Sequence, residues 1–304
     1  MEKFEVTILG CGSALPTLRH FPTSQIVNIR EKLFMIDCGE GTQLQLRKSK
    51  LKFSKINHIF ISHLHGDHFF GLIGLISTFN LLGRTATLHI YGPKDLEPLL
   101  RPQLNYFCNG MMYDVEIHTI DPKEHNLIYE DRSVEIHTIP LKHRILCCGF
   151  LFKEKQTLPH IKSDMIKAHN IPISQINNIK AGMDYISEDG EIIRNSLLTV
   201  PARAARSYAY CSDTIYLPEN ANLLQEVDLL YHEATFCNED VRFCKSTFHS
   251  TASQAANLAK LSNAKQLMIG HYSSRYQDEA ILLKEAQEIF PNTFLARENF
   301  KIRI

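Results

Sequence analysis

Apolar runs of strand length alternate with longer segments of helical periodicity over most of the chain, the pattern of a layered α/β protein. Residues 4–9 alternate as a strand and run into Gly10, Cys11, Gly12 and Ser13, which predict a tight turn. Strands at 25–29 and 32–36 pair across the polar Arg30 and Glu31, and a short buried strand at 56–61 ends just before His63. Helical character runs over 67–82 despite Gly71 and Gly74. A strand at 87–91 stops at Gly92 and Pro93, and 95–106 predicts a helix. Further strands are expected at 115–120, 134–139, 208–211, 227–231 and 266–269, with helices at 250–261 and 278–289.

Residues 153–195 break this rhythm. Spaced lysines, polar turns such as Glu188-Asp189-Gly190 and scattered isoleucines read as an excursion from the core. An ordinary helix and hairpin packed on the body fits the same composition. The expectation is one body over 1–304 with an insertion at 153–195.

Composition narrows the class. The 304 residues are 44% hydrophobic and 22% charged, enough for a large buried core. No basic-then-apolar leader opens the chain and no apolar run is long enough to span a bilayer, so a cytoplasmic protein without a membrane partner is expected. The eight cysteines include adjacent Cys147 and Cys148 but no C-x-x-C pair, so reduced, buried thiols are expected. Lys+Arg 33 match Asp+Glu 33, which argues against a broad basic face. A nucleic-acid partner would have to be attracted by local patches and by bound metal cations, which that count omits.

The densest chemistry is Ser62-His63-Leu64-His65-Gly66-Asp67-His68, four ligand-type side chains directly after a buried strand. A neutral imidazole donates a nitrogen lone pair and an aspartate supplies a hard oxygen, both suited to zinc. His63 and His65 alternate across an extended strand end, while Asp67 and His68 sit where the chain turns into a helix. Two residues can therefore face one ion and two a second. His143, Asp213 and His271 each follow a predicted strand, where a layered α/β fold presents its site residues. Taken singly, His143 and His271 fit a ligand or a bystander equally well. Asp213 is the natural bridge, because one carboxylate can span two metals about 3.5–4 Å apart.

This constellation resembles the metallo-β-lactamase superfamily over nearly the whole chain. The segments Leu9-Gly-Cys-Gly-Ser-Ala-Leu-Pro-Thr17, Phe34-Met-Ile-Asp-Cys-Gly-Glu-Gly-Thr-Gln43, Pro140-Leu-Lys-His143 and Tyr231-His-Glu-Ala-Thr-Phe236 resemble those of the short-form ribonuclease Z family. So do His249-Ser-Thr-Ala252 and Gly270-His-Tyr-Ser-Ser-Arg-Tyr276.

The resemblance implies a four-layer αβ/βα sandwich holding two Zn2+ per subunit on His63, His65, Asp67, His68, His143, Asp213 and His271. It further implies an endoribonuclease that removes the 3′ trailer of precursor tRNA, leaving a 3′-hydroxyl and a 5′-phosphate. On that reading a zinc-bridging hydroxide attacks the phosphodiester, with Asp67 as proton acceptor. His249 protonates the leaving oxygen and Glu233 keeps its imidazole cationic. Ser273 and Arg275 would contact phosphate or the RNA end, and Arg suits phosphate through its planar fork. The insertion would be a flexible arm gripping tRNA, with Lys162, Lys167 and Lys180 as backbone contacts, although Ile173-Ser-Gln-Ile-Asn-Asn178 replaces the usual Gly-Pro-rich tip. A homodimer is also implied. Two rivals are a same-fold enzyme for a small phosphodiester or ester, and a metal-free RNA-binding scaffold.

Overall fold

The computed structural model describes residues 2–304. They form two compact units, one of residues up to Lys153 together with Arg206–Ile304, the other Glu154–Ala205.

The larger unit is built on two seven-stranded mixed sheets. In the first, the strands lie in the order Lys301–Arg303, Phe4–Gly10, Ser24–Ile29, Lys32–Ile36, Ile56–Phe60, Leu88–Gly92 and Val115–Thr119. In the second, the order is Thr293–Leu295, Leu267–Gly270, Leu229–Glu233, Ser207–Cys211, Cys148–Glu154, Val134–Pro140 and Leu127–Glu130. Period-two alternation buries both faces of the first sheet. Val27, Phe34, Ile36 and Phe60 join the core shared with the second sheet. Their neighbours Ile26, Leu33, Met35, Ile59 and Ile61 pack with Leu46, Leu75 and Leu100 from helices Thr42–Lys48, Leu72–Leu81 and Leu96–Phe107. Helices Ala252–Leu261 and Ala280–Gln287 cover the far side of the second sheet, completing the four expected layers. The first of these starts at a capping box, with Thr251 and Gln254 each satisfying the other's backbone N–H.

Most predicted elements recur within a residue or two, and the differences have local causes. Arg30 and Glu31 both adopt positive φ (50° and 68°), which lets a two-residue turn pair Ile29 with Lys32. The predicted tight turn at 10–13 is instead the start of a longer excursion. Gly12 bridges both Pro22 and Tyr272, and a Cβ at Gly10 would lie 1.8 Å from the Pro22 carbonyl oxygen. The helix expected over 67–82 is two helices, Gly66–Phe69 and Leu72–Leu81. The Gly71 N–H leaves helical bonding to donate to the Cys38 carbonyl at 2.9 Å, and a Cβ at Gly71 would lie 2.1 Å from the Gly39 oxygen. All eight cysteines are free and buried, as expected. No helix among the described residues is long and apolar enough to cross a membrane.

The smaller unit runs on past Asn195 to Ala205. It has helices Ser163–Ala168, Ile173–Lys180 and Asn195–Leu198 and two two-stranded pairings, His160–Ile161 with Thr199–Val200 and Tyr185–Ile186 with Ile192–Ile193. Ile171, Ile179, Tyr185, Ile193 and Leu198 give it a small core of its own.

Candidate metal centre

Strand Ile56–Phe60 ends in an extended segment carrying Ser62 and His63, and His65 caps the short helix Gly66–Phe69 that holds Asp67 and His68. The close backbone approach at Gly39 and Gly71 pins this turn against the end of strand Lys32–Ile36. His143, Asp213 and His271 follow strands Val134–Pro140, Ser207–Cys211 and Leu267–Gly270. His271 adopts φ 61°, a left-handed conformation seldom taken by a residue with a side chain.

The seven side chains meet as two donor sets sharing one member. His63, His65, His143 and Asp213 form one, and Asp67, His68, His271 and the same Asp213 form the other. Within each, the ligand atoms lie within 4.8 Å of one another. Asp213 Oδ2 is 3.7 Å from His63 Nε2 and 3.8 Å from His143 Nε2. Asp213 Oδ1 is 3.4 Å from His68 Nε2 and 3.2 Å from His271 Nε2. One carboxylate thus turns an oxygen to each set.

The donor set fits divalent cations. Burial, with help from neighbouring imidazoles, lowers the pKa of His63, His65 and His143, keeping them in the neutral, lone-pair-bearing form. Burial alone would raise the Asp213 and Asp67 carboxyls, yet the surrounding histidines hold both far below the usual carboxylate range. His68 Nε2 and Asp213 Oδ1 are buried and, although 3.4 Å apart, neither makes a well-formed hydrogen bond. Orphans of this kind cost free energy unless something else binds them, as a cation there would.

Comparisons with known proteins place the chain in two named families. A chain named ribonuclease Z from Phocaeicola vulgatus is 63% identical over 304 residues, covering 100% of this chain and 98% of that one. Another of that name from Bacteroides fragilis is 60% identical over the full length of both. The chain belongs to the ribonuclease Z family. A family model described as Anti-Pycsar protein Apyc1 matches residues 4–292, and the chain is a member of that family too. Among solved structures, the human short-form tRNase Z is similar with TM-score 0.70 and 25% identity, covering 98% of each chain.

Around this ribonuclease Z centre the outward nitrogens are held by the protein. His143 Nδ1 donates to the Phe248 carbonyl at 2.9 Å, His63 Nδ1 lies 3.0 Å from Ser62 Oγ, and His271 Nδ1 lies 3.0 Å from Thr235 Oγ1. Such bonds fix which imidazole nitrogen faces the donor cluster. Asp37, which sequence reasoning left without a role, is fully buried beneath His68. It accepts from His68 Nδ1 at 2.8 Å, the Ser62 N–H at 2.7 Å, Ser62 Oγ at 2.9 Å and the Tyr210 hydroxyl at 2.7 Å. Its only sequence signal was membership of the motif at 34–43.

His249 and Glu233 form a second assembly beside the two donor sets. Glu233 Oε1 accepts from His249 Nδ1 at 2.9 Å and from the backbone of Ser250 and Thr214, while Oε2 accepts from Thr235. The His249 ring stacks 5.2 Å from that of His271 and lies 5.0 Å from that of His143. All of this opens on a cleft of about 740 Å³ lined by His65, Asp67, His143, Asp213, His249 and His271.

Ser273 and Arg275 also line that cleft. The Arg275 guanidinium is already engaged, 3.1 Å from Asp240 Oδ1 and over the rings of Phe236 and Phe243. Lys162, Lys167 and Lys180 belong to the smaller unit, where Lys162 Nζ donates to the Leu197 carbonyl at 2.8 Å.

Proposed function

We propose that this chain is a cytoplasmic two-zinc endoribonuclease that removes the 3′ trailer from precursor tRNA, leaving a 3′-hydroxyl on the tRNA and a 5′-phosphate on the trailer. The observation that carries the reading is the divided Asp213 carboxylate between two donor sets, in a member of the ribonuclease Z family. Similarity to a human short-form tRNase Z supports tRNA as the substrate.

His63, His65, His143 and Asp213 would hold one ion, and Asp67, His68, His271 and Asp213 the other. Two zinc ions held there would supply charge neutralisation at the phosphodiester and would lower the pKa of water toward about 7. Asp67 lines the cleft, and its depressed pKa makes it a poor base, so it orients the attacking water by accepting a hydrogen bond. His249, paired with Glu233, gives its proton to the leaving 3′ oxygen. Ser273 and Arg275 hold a phosphate at the cleft wall, with Asp240 fixing the guanidinium.

Mapping the cut ends of a precursor tRNA transcript tests the reading. One cut just past the discriminator nucleotide is expected, lost on chelation and restored by zinc. Scattered cuts, or cleavage indifferent to chelation, would remove it.

The unit Glu154–Ala205 would act as the arm, with Lys162, Lys167 and Lys180 on the tRNA backbone. Replacing all three with alanine should reduce the slope of log affinity against log salt by roughly two to three, since each lost phosphate contact removes about 0.7 to 0.9. An unchanged slope would take these lysines out of the interface. A homodimer belongs to the same reading, supported by the exposed Tyr106, Phe107 and Met112. Light scattering that reports a single-chain mass would exclude it.

A further inference from the structure

Three neighbouring parallel strands carry imidazoles that take no part in the cleft. In register, His58 lies opposite His89, His89 opposite Glu116, and Tyr91 opposite His118. Strand Val115–Thr119 is the last of its sheet, so this row ends at an edge open to solvent. The side chains of His89, Glu116 and His118 are 28%, 56% and 39% exposed, which leaves them within reach of a dissolved ion.

Their donor atoms converge. His89 Nδ1 lies 3.1 Å from His118 Nε2 and 3.2 Å from Glu116 Oε2, and that oxygen is 3.9 Å from His118 Nε2. A single proton on His89 Nδ1 cannot satisfy both neighbours in good geometry. An ion bound at about 2.0–2.2 Å holds such donors roughly 3–4 Å apart, and serves all three at once. The rings are also aimed in advance. His89 stacks on His58 with centroids 5.0 Å apart, and His118 stacks on Tyr91 at 4.6 Å. Donors already fixed lose little freedom on binding.

We propose that His89, Glu116 and His118 form a further metal site, separate from the catalytic centre, for a borderline divalent ion such as Zn2+. Two imidazoles and one carboxylate favour such an ion over Mg2+ or Ca2+, which prefer all-oxygen shells. Three protein donors leave a coordination position for water. Binding ties the edge strand Val115–Thr119 to Leu88–Gly92.

The test compares the full-length protein with His118→Gln after equilibration in zinc and dialysis, counting metal by mass spectrometry. The unsubstituted protein should retain one more zinc per chain than the variant, with equal nuclease turnover. Because the readout is a difference, it holds whatever the catalytic centre contains. Equal zinc content in the two proteins overturns the proposal. The one-ion difference should persist on an Asp213→Asn background. Its disappearance there would mean that His118 acts through the catalytic centre, and would overturn a separate site.

Discussion

Replacing Asp213 with asparagine should lower turnover on precursor tRNA by about 10⁴-fold or more, the scale seen when one member of a reacting ensemble is removed. The substitution keeps the volume and takes away the charge and one oxygen. Asp213 now faces His63 and His143 through Oδ2, and His68 and His271 through Oδ1. An amide can offer oxygen to only one of these pairs and must turn an N–H₂ toward the other, where a donor group repels a cation. Metal analysis should therefore find at least one ion lost along with the activity. Retention of both ions with near-normal turnover would sink the bridging role, and the two-metal reading with it.

The clustering of these donors was legible because ligand-type side chains leave a local mark. His63, His65, Asp67 and His68 are compressed into six positions after a strand, and the other three donors each follow a strand of their own. Asp37 carries no such mark. Its role is to accept hydrogen bonds from partners such as Tyr210, 173 residues away, so nothing near it in the chain reveals the function. The break at Gly71 escaped notice for a related reason. Helical periodicity runs straight through it, and the cause is a backbone approach by Gly39 that only the packed structure contains. Strand Cys148–Glu154 was missed although it is central to the second sheet. Its first five residues, Cys148–Phe152, are all buried and show no alternation to announce a strand. Helix Thr42–Lys48 is short and starts at Gly41 without a side-chain cap, so its first turn lacks the usual signal. The smaller unit overlaps the change in composition over 153–195, and its end at Ala205 depends on strand Thr199–Val200 pairing back on His160–Ile161.

His249→Ala should reduce turnover by roughly 10²–10⁴-fold with metal content unchanged, because it removes a proton donor and no ligand. The protonation state supports that role. Burial alone would lower the His249 pKa, but contact with Glu233, aided by Asp213 and Asp67, raises it to about 9. The imidazole is then cationic at neutral pH and has a proton to give. As pH rises through the pKa that proton is lost, so turnover should decline on the alkaline side. Cations held by Asp213 and Asp67 would offset the help those carboxylates give, which moves the expected decline below pH 9. Glu233→Gln removes the remaining anion, and the imidazole should fall back toward its ordinary value of about 6.5. The alkaline limb of the turnover profile then moves to lower pH, while metal content should hold. An unmoved limb would break the link between Glu233 and the donor, and loss of metal in His249→Ala would make His249 a structural support for His143 and His271 instead.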